Sequence, residues 1–196
     1  MTKAATEIPS YHPKTRAEWR AWLAKYHATS AGVWFVYYKS ATGRARVSYD
    51  DAVEEALCFG WIDSVQRTLD DERSMLRFSS RKPKSVWSKL NKDRVERLIE
   101  RGQMTPAGLA KIEAAKRDGS WRALDAVERL VVPPDLKTAL AARPVAARNF
   151  DGFSPSSKKI ILGWIASAKR PETRLKRVAE TVRQAAKNLK ANHYRQ

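Results

Sequence analysis

The sequence predicts an α+β fold, in which a small antiparallel β-sheet of about three or more strands packs with helices and a helical C-terminal extension follows. Residues 33–38 (VWFVYY) are all β-branched or aromatic, as is typical of a strand that is central in its sheet or buried on both faces. Residues 61–69 and 74–80 flank an acidic turn and predict an antiparallel hairpin. Beyond residue 83 the apolar residues recur at helical spacing, as in residues 161–168.

The predicted helices of the first part begin at side chains that are suited to N-capping. Thr15 is expected to cap a helix that runs to about His27, and Glu18 stands three residues after the cap, as in a capping box. Ser48 begins the next helix, with aspartates in its first turn. Gly60 is expected to end that helix in the left-handed conformation.

The remaining helices are predicted from caps, prolines and apolar stripes. One helix is expected from Ser85 to about Arg101, and the next starts at Thr105 and Pro106 and ends near Gly119. A short helix is expected from Pro133 and ends before Pro144. The last two are expected from Ser154 and Pro155 through residue 168, and after Pro171. The weakest join lies around residues 123–134. We therefore expect an α+β domain over residues 12–122 and a helical segment over residues 123–196, and the two can pack as one domain.

Composition narrows the class of protein. A chain of 196 residues suits one domain, or one domain with a helical appendage. The single cysteine excludes an intramolecular disulfide, and the three histidines are scattered, so we expect no metal site and no cofactor. The first residues lack the apolar core of a secretory signal, and no apolar run approaches the ~20 residues of a membrane span. We expect a soluble cytoplasmic protein.

The positive charge of the chain is concentrated in two segments. The formal net charge is +17, and residues 73–101 and 143–196 contribute all of that excess. One interpretation is a positive field that attracts phosphates or another anionic partner. The other is that these are simply well-solvated helices rich in lysine and arginine.

Three motifs carry a resemblance to a known family: AVEEALCFGWIDS at residues 52–64, FSSRKPKSVWSKLN at 78–91 and SPSSKKIILGWIASAKRPETRLKR at 154–177. Over roughly residues 12–190 the chain resembles the YdeI/OmpD-associated family, also called the bacteriocin-protection family. That resemblance implies a fold similar to YjbR/CyaY-like proteins, a small antiparallel sheet with helices packed on it. It also implies a role in bacterial stress or tolerance of antimicrobial peptides, without an agreed biochemical activity.

Cys58 is the only candidate nucleophile. It falls in the last turn of its predicted helix, where the helix dipole opposes negative charge, and Glu54 and Glu55 precede it on the same side. No histidine is near it in the sequence. We therefore expect a packing cysteine rather than a reactive thiolate.

An acidic side chain on a predicted strand marks a second candidate site. Asp63 lies between Trp61 and Val65 on one strand face, where a carboxylate is costly to bury unless it is paired. One reading is a structural ion pair of Asp63 with Arg81 or Lys82. The other is a pocket for a polar ligand. The candidate pocket residues are Glu55, Cys58, Trp61, Asp63 and Arg81.

A third candidate site combines cations, a tryptophan and polar side chains, which suit phosphate contact and base stacking. The helix start after Pro83 adds free backbone donors for an anion. The alternatives are that Ser85 only caps the helix, that Trp87 packs in the core, and that the cations of the last helices form a solvated face. The candidate anion-binding residues are Arg81, Lys82, Lys84, Ser85, Trp87, Ser88, Asn91, Arg174 and Arg177.

Three functional hypotheses follow from these patterns. The leading one is a non-catalytic cytoplasmic module that binds an anionic partner, nucleic acid by preference, with the basic loop and the last helix. The second is a small-molecule-binding protein or enzyme with a pocket around Glu55, Trp61, Asp63 and Arg81. The third is a protein-interaction role, in which the apolar seam from Leu175 to Leu189 pairs with another chain. The sequence leaves the oligomeric state open.

Overall fold

The computed structural model describes residues 8–193, which form two compact units that divide between Arg122 and Ala123. Each unit has its own hydrophobic core. Across the described range, no helix is both long and apolar enough to cross a membrane.

The first unit contains a four-stranded mixed sheet. The strands are β1 (Ser10–Tyr11), β2 (Val33–Tyr38), β3 (Trp61–Thr68) and β4 (Arg73–Ser80), in the spatial order β1-β2-β4-β3. The pairs β2–β4 and β4–β3 are antiparallel, as predicted for the hairpin and its neighbour, whereas the short β1 pairs with β2 in parallel. The predicted α+β fold class is confirmed, and the expectation of a purely antiparallel sheet is corrected by β1.

Among its described residues the first unit has four α-helices, and three of them begin at the predicted caps. The four helices are α1 (Arg16–Tyr26), α2 (Tyr49–Cys58), α3 (Lys89–Glu100) and α4 (Pro106–Asp118). The side chains of Thr15, Ser48 and Thr105 each accept a hydrogen bond from the backbone N–H three residues later. These three predicted starts are confirmed, because capping depends on neighbours in the sequence.

The predicted start of α3 at Ser85 is wrong, and Ser88 is the N-cap instead. Residues 85–88 are not helical, and Lys84 before them has a left-handed backbone with a φ of 60°. The Val86 carbonyl accepts a hydrogen bond from the Arg81 side chain at 2.7 Å rather than from a helical N–H. Residues 81–88 therefore form a loop, called here the basic loop.

The core of the first unit is built from aromatic rings. Trp19 lies 5.0 Å from Phe35 and 5.3 Å from Phe78, measured between ring centroids, and Trp61 and Trp87 are fully buried. A bulge in β3 between residues 63 and 66 breaks the predicted alternation of its side chains. Trp61 consequently faces the core, while Val65 is exposed.

The C-terminus of α2 meets the N-terminus of α4 at close range. The Cys58 carbonyl accepts hydrogen bonds from the N–H and the hydroxyl of Thr105, at 3.1 and 2.6 Å. A Cβ at Gly108 would lie only 2.3 Å from the Cys58 carbonyl oxygen, so this approach requires glycine. Gly60 then turns the chain with a φ of 73°, and its carbonyl accepts from the Arg81 N–H at 3.0 Å.

The second unit is helical throughout its described residues. Its helices are α5 (Asp125–Glu128), α6 (Pro134–Ala141), α7 (Pro144–Asp151), α8 (Pro155–Ala166) and α9 (Pro171–Ala185). Pro144 begins a helix of its own, in addition to ending the one before it, because proline is compatible with the first helical turn.

The apolar seam predicted on the last helix is used within the second unit. Val178, Val182 and Ala185 are buried in that unit's core, whereas Leu175 is 65% exposed. The helix ends at Ala185, before Leu189. Most of the seam is therefore unavailable to a second chain.

Replacing Gly60 with alanine is expected to destabilise the protein more than replacing Gly102. Both glycines have positive φ values, 73° and 64°. Left-handed strain should therefore lower the free energy of unfolding of either alanine variant by about 1–2 kcal/mol. A Cβ at position 60 also lies 2.5 Å from Cγ of Lys111 and 3.1 Å from the Ala107 carbonyl, which adds about 1–3 kcal/mol. At position 102 it meets no other part of the chain within 4 Å. Urea titration measures both free energies of unfolding, and equal losses would contradict the packing argument.

Candidate anion-binding site

The basic loop and α4 enclose a cavity of about 80 Å³ in the first unit. Cationic and hydroxyl side chains dominate its polar lining, with one carboxylate among them. The lining consists of Arg81, Lys82, Pro83, Lys84, Ser85, Trp87, Lys111, Ala114, Ala115, Asp118 and Ser120.

Arg81 is the unusual member of this lining, since it is only 4% exposed. Its guanidinium stacks 3.7 Å above the centroid of the Trp87 ring, and Nη2 donates to the Val86 carbonyl. The buried Nε and Nη1 atoms have no hydrogen-bond partner in the protein. Burial lowers the pKa of Arg81 to about 10, because the charged form loses hydration, and the charge of Asp63 offsets only part of that effect. The side chain still carries its positive charge at neutral pH.

Backbone and side-chain contacts hold the cavity walls in place. Lys111 Nζ donates to the Arg81 carbonyl at 3.0 Å. The Asp118 carboxylate accepts from the N–H of Lys84 at 3.0 Å and from the N–H of Ser120 at 2.9 Å. In the described part of the chain no ion pair engages the ammonium groups of Lys82 or Lys84, both of which are exposed.

A second tryptophan extends the site to the surface. Trp121 lies 5.0 Å from Trp87 between ring centroids and remains partly exposed. The ammonium groups of Lys92 and Lys116 lie 5.4 and 6.0 Å from the centroid of its ring. Trp121 also lines a groove of about 520 Å³ together with Lys116, Gly119 and Arg122. Trp87 is 1% exposed and packs in the core, so the ring that can receive a stacked group is Trp121.

Sequence reasoning missed four residues of this site: Lys111, Asp118, Ser120 and Trp121. They come from α4 and the turn after it, and only the tertiary contact of α2 with α4 brings them to the basic loop. Trp121 follows the predicted helix stop at Gly119, where its N–H donates to the Ala115 carbonyl at 3.0 Å. No local motif marks these positions.

Glu55, predicted for the polar pocket, belongs to an ion-pair cluster between α1 and α2. Its buried carboxylate accepts from Arg16 Nε and from Arg20 Nη1, both at 2.6 Å. Arg16 also pairs with Asp51 and Glu54. Burial opposes the charge of Arg16, but the hydrogen bonds and charges of Glu55 and Asp51 together outweigh burial and raise the pKa of Arg16.

The other predicted pocket residues have separate partners. Asp63 accepts a hydrogen bond from the Tyr49 hydroxyl at 2.9 Å, and burial, followed by the charge of Asp63, raises the pKa of Tyr49 to about 12. Trp61 is buried and its indole N–H donates to the His27 carbonyl at 3.1 Å. Within the described range Asp63 and Arg81 form no ion pair.

Cys58 lies in the core and has no exposed surface. Burial, and then the charge of Glu55, raises the pKa of its thiol, which opposes thiolate formation. In residues 8–193 no group of three or more histidine, cysteine, aspartate or glutamate side chains is arranged to hold a metal ion.

The remaining predicted anion-binding residues divide between the two units. Ser88 caps α3 by accepting from the Asn91 N–H, and the Asn91 side chain accepts from Arg94. Arg174 forms a bidentate pair with Asp135, with distances of 2.6 and 2.9 Å. Arg177 donates to the Trp164 carbonyl and to the Ser167 hydroxyl. Both arginines lie in the second unit and bind its own groups.

Replacing Glu55 with glutamine is expected to lower the free energy of unfolding by about 3 kcal/mol. This is the low end of the range for breaking a buried ion pair, because the Arg16 and Arg20 side chains remain 35% and 39% exposed. The exposed Glu100 provides the control, since glutamine at that position should change stability by less than about 0.5 kcal/mol. Urea unfolding measures both variants. A loss at Glu55 no larger than at Glu100 would show that the cluster does not stabilise the fold.

Comparison with known proteins divides the chain into two matched regions. Residues 11–111, just over half of the chain, match a family described as a domain of unknown function, DUF8412. Residues 129–188 match the family described as bacteriocin-protection, YdeI or OmpD-associated. The predicted resemblance to that second family is confirmed for the C-terminal region, while the motifs at 52–64 and 78–91 fall within the first match. No curated protein and no solved structure matches the chain significantly. The chain belongs to the DUF8412 family and carries a YdeI/OmpD-associated region in its second unit.

Proposed function

We propose that this protein is a non-catalytic cytoplasmic module that binds an anionic partner, nucleic acid by preference. The binding surface consists of the basic loop, the last turn of α4 and Trp121, all in the first unit. The observation that carries the proposal is Arg81, a buried guanidinium whose Nε and Nη1 atoms have no partner in the protein.

A buried guanidinium that is not paired with a carboxylate favours binding of an acceptor from a partner molecule. Fully buried arginines are rare unless they are paired, because the charged group loses its hydration. Arg81 stacks on Trp87 and donates one hydrogen bond to the Val86 carbonyl, so only part of its hydrogen-bonding capacity is used. Phosphate oxygens supply the acceptors that Nε and Nη1 lack, and arginine is well suited to phosphate by charge and by geometry.

The neighbouring surface favours nucleic acid among anionic partners. Trp121 is partly exposed, as stacking on a base requires, and two lysines lie near its ring. Proteins that bind single strands combine such stacking with a positive groove along the backbone. Arg174 and Arg177 are left out of this surface, because they bind groups of the second unit.

The alternative pocket around Glu55, Trp61, Asp63 and Arg81 has less support. Glu55 is held by two arginines and Asp63 by Tyr49, so neither carboxylate is short of a partner.

The binding activity is expected to depend steeply on salt. Fluorescence anisotropy of a labelled single-stranded oligonucleotide measures the Kd at several salt concentrations. Since lysine and arginine displace counterions from phosphates, log Kobs should fall linearly with log salt, with a slope of about −0.7 for each phosphate contacted. The proposal fails if the oligonucleotide does not bind at low salt, or if its affinity is indifferent to salt.

Replacing Trp121 with alanine is expected to weaken that binding by about 1–3 kcal/mol, the usual contribution of one stacked base. Trp164 in the second unit provides a matched control, because it is also half-buried and has a cation, Arg177, 5.1 Å from its ring centroid. Trp164→Ala should leave the Kd unchanged. Equal effects of the two substitutions would place the nucleic acid elsewhere.

We also propose that this binding contributes to tolerance of antimicrobial peptides. The support is the description of the family that matches residues 129–188, which names bacteriocin protection. A strain that lacks the gene should become more sensitive to such a peptide. Wild-type protein should restore tolerance, and Trp121→Ala should restore less than Trp164→Ala. Unchanged sensitivity of the deletion strain would remove this role and leave the binding proposal standing.

A further inference from the structure

The cavity beside Arg81 has a floor and a rim of different character. Arg81 and Trp87 are buried at the floor, whereas Lys82 and Lys84 are exposed at the rim. A volume of about 80 Å³ has room for several water molecules. A space of this volume suits one tetrahedral oxyanion better than a nucleotide base.

The charge and the donors of this cavity match such an anion. Four cationic side chains (Arg81, Lys82, Lys84 and Lys111) and one carboxylate (Asp118) line it, so the formal charge is +4 − 1 = +3. Two nitrogens of Arg81, Nε and Nη1, are buried and have no acceptor in the protein. Asp118 also lines the cavity, but its oxygens accept from the N–H groups of Lys84 and Ser120.

From this geometry we infer that the cavity is a site for one phosphate monoester group, to which Arg81 offers Nε and Nη1, the donors that are buried in the unliganded protein. The inference rests on the proposed function and names the part of the nucleic acid that enters: a terminal phosphate, with the adjoining base stacked on Trp121. A monoester fits better than a diester, because a phosphate within a strand has two substituents that must both leave a small cavity. A terminal phosphate has one.

Inorganic phosphate alone provides the direct test, by ³¹P NMR titration at constant ionic strength, with chloride as the reference anion. Wild-type protein should shift the phosphate resonance saturably. Arg81→Gln should weaken the affinity roughly ten- to hundred-fold, the loss expected for charge-assisted hydrogen bonds. Equal titration of the wild type and the variant would overturn the inference, since an adventitious ion on a basic surface does not require Arg81.

A second variant guards against misfolding of Arg81→Gln. Lys84→Asn removes one rim charge at a left-handed position, which asparagine tolerates, so the fold should be retained. Its phosphate affinity should fall roughly two- to five-fold, as for an exposed charge. Lys14→Asn removes the same charge in the same unit at a position outside the cavity lining, and it should change nothing. Equal affinities of these two variants would contradict the cavity site.

Oligonucleotides separate this inference from the proposed function. A strand with a terminal phosphate should bind roughly ten-fold more tightly than the same strand ending in a hydroxyl, and Arg81→Gln should remove that preference. If neither strand binds, the proposed function fails. If both strands bind wild-type protein equally and phosphate alone does not require Arg81, only the inference fails. Equal binding of both strands with Arg81-dependent binding of phosphate identifies free phosphate as the ligand of the cavity.

Discussion

The close contact between α2 and α4 at Gly108 is the constraint on which the site depends. Because Gly108 has no side chain, the Cys58 carbonyl occupies the space of its Cβ and receives both the N–H and the hydroxyl of Thr105. This contact sets α4 against the basic loop, so that Lys111 reaches the Arg81 carbonyl and Asp118 reaches the Lys84 N–H. The cavity is thus a consequence of the packing of α4 against α2.

The carboxylates of α2 pair with neighbouring arginines rather than with Arg81. On α2, Asp51, Glu54 and Glu55 are all engaged by Arg16, and Glu55 also by Arg20. Once paired, these carboxylates exert only a weak field at a distance, since opposite charges cancel and salt screens what remains. Local pairing therefore keeps the carboxylates of α2 from Arg81, and the charge of Asp63 offsets only part of the effect of burial on the Arg81 pKa.

The sequence was most informative where structure depends on neighbouring residues. The caps at Thr15, Ser48 and Thr105 and the stop at Gly60 follow from local hydrogen bonding and from glycine's freedom at positive φ, and they were predictable. The start of α3 at Ser88 was not predictable, because the Val86 carbonyl accepts a hydrogen bond from the Arg81 side chain and the sequence does not reveal that contact. The partners of the cavity were not predictable either, since they reach the basic loop only through a tertiary contact between two helices.

Arg81 and the rim lysines would contribute to binding in different ways. Lys82 and Lys84 are exposed, so their attraction for an anion acts at a distance and is screened by salt. The buried Arg81 is screened much less, and its unpartnered nitrogens would select an anion by hydrogen-bond geometry at contact distance. A buried charge without a partner raises the free energy of the folded state. An anion that bound Arg81 would supply the missing partner and stabilise the fold by linkage. Rim and floor together therefore suit a site in which capture depends on charge and selection depends on a single arginine.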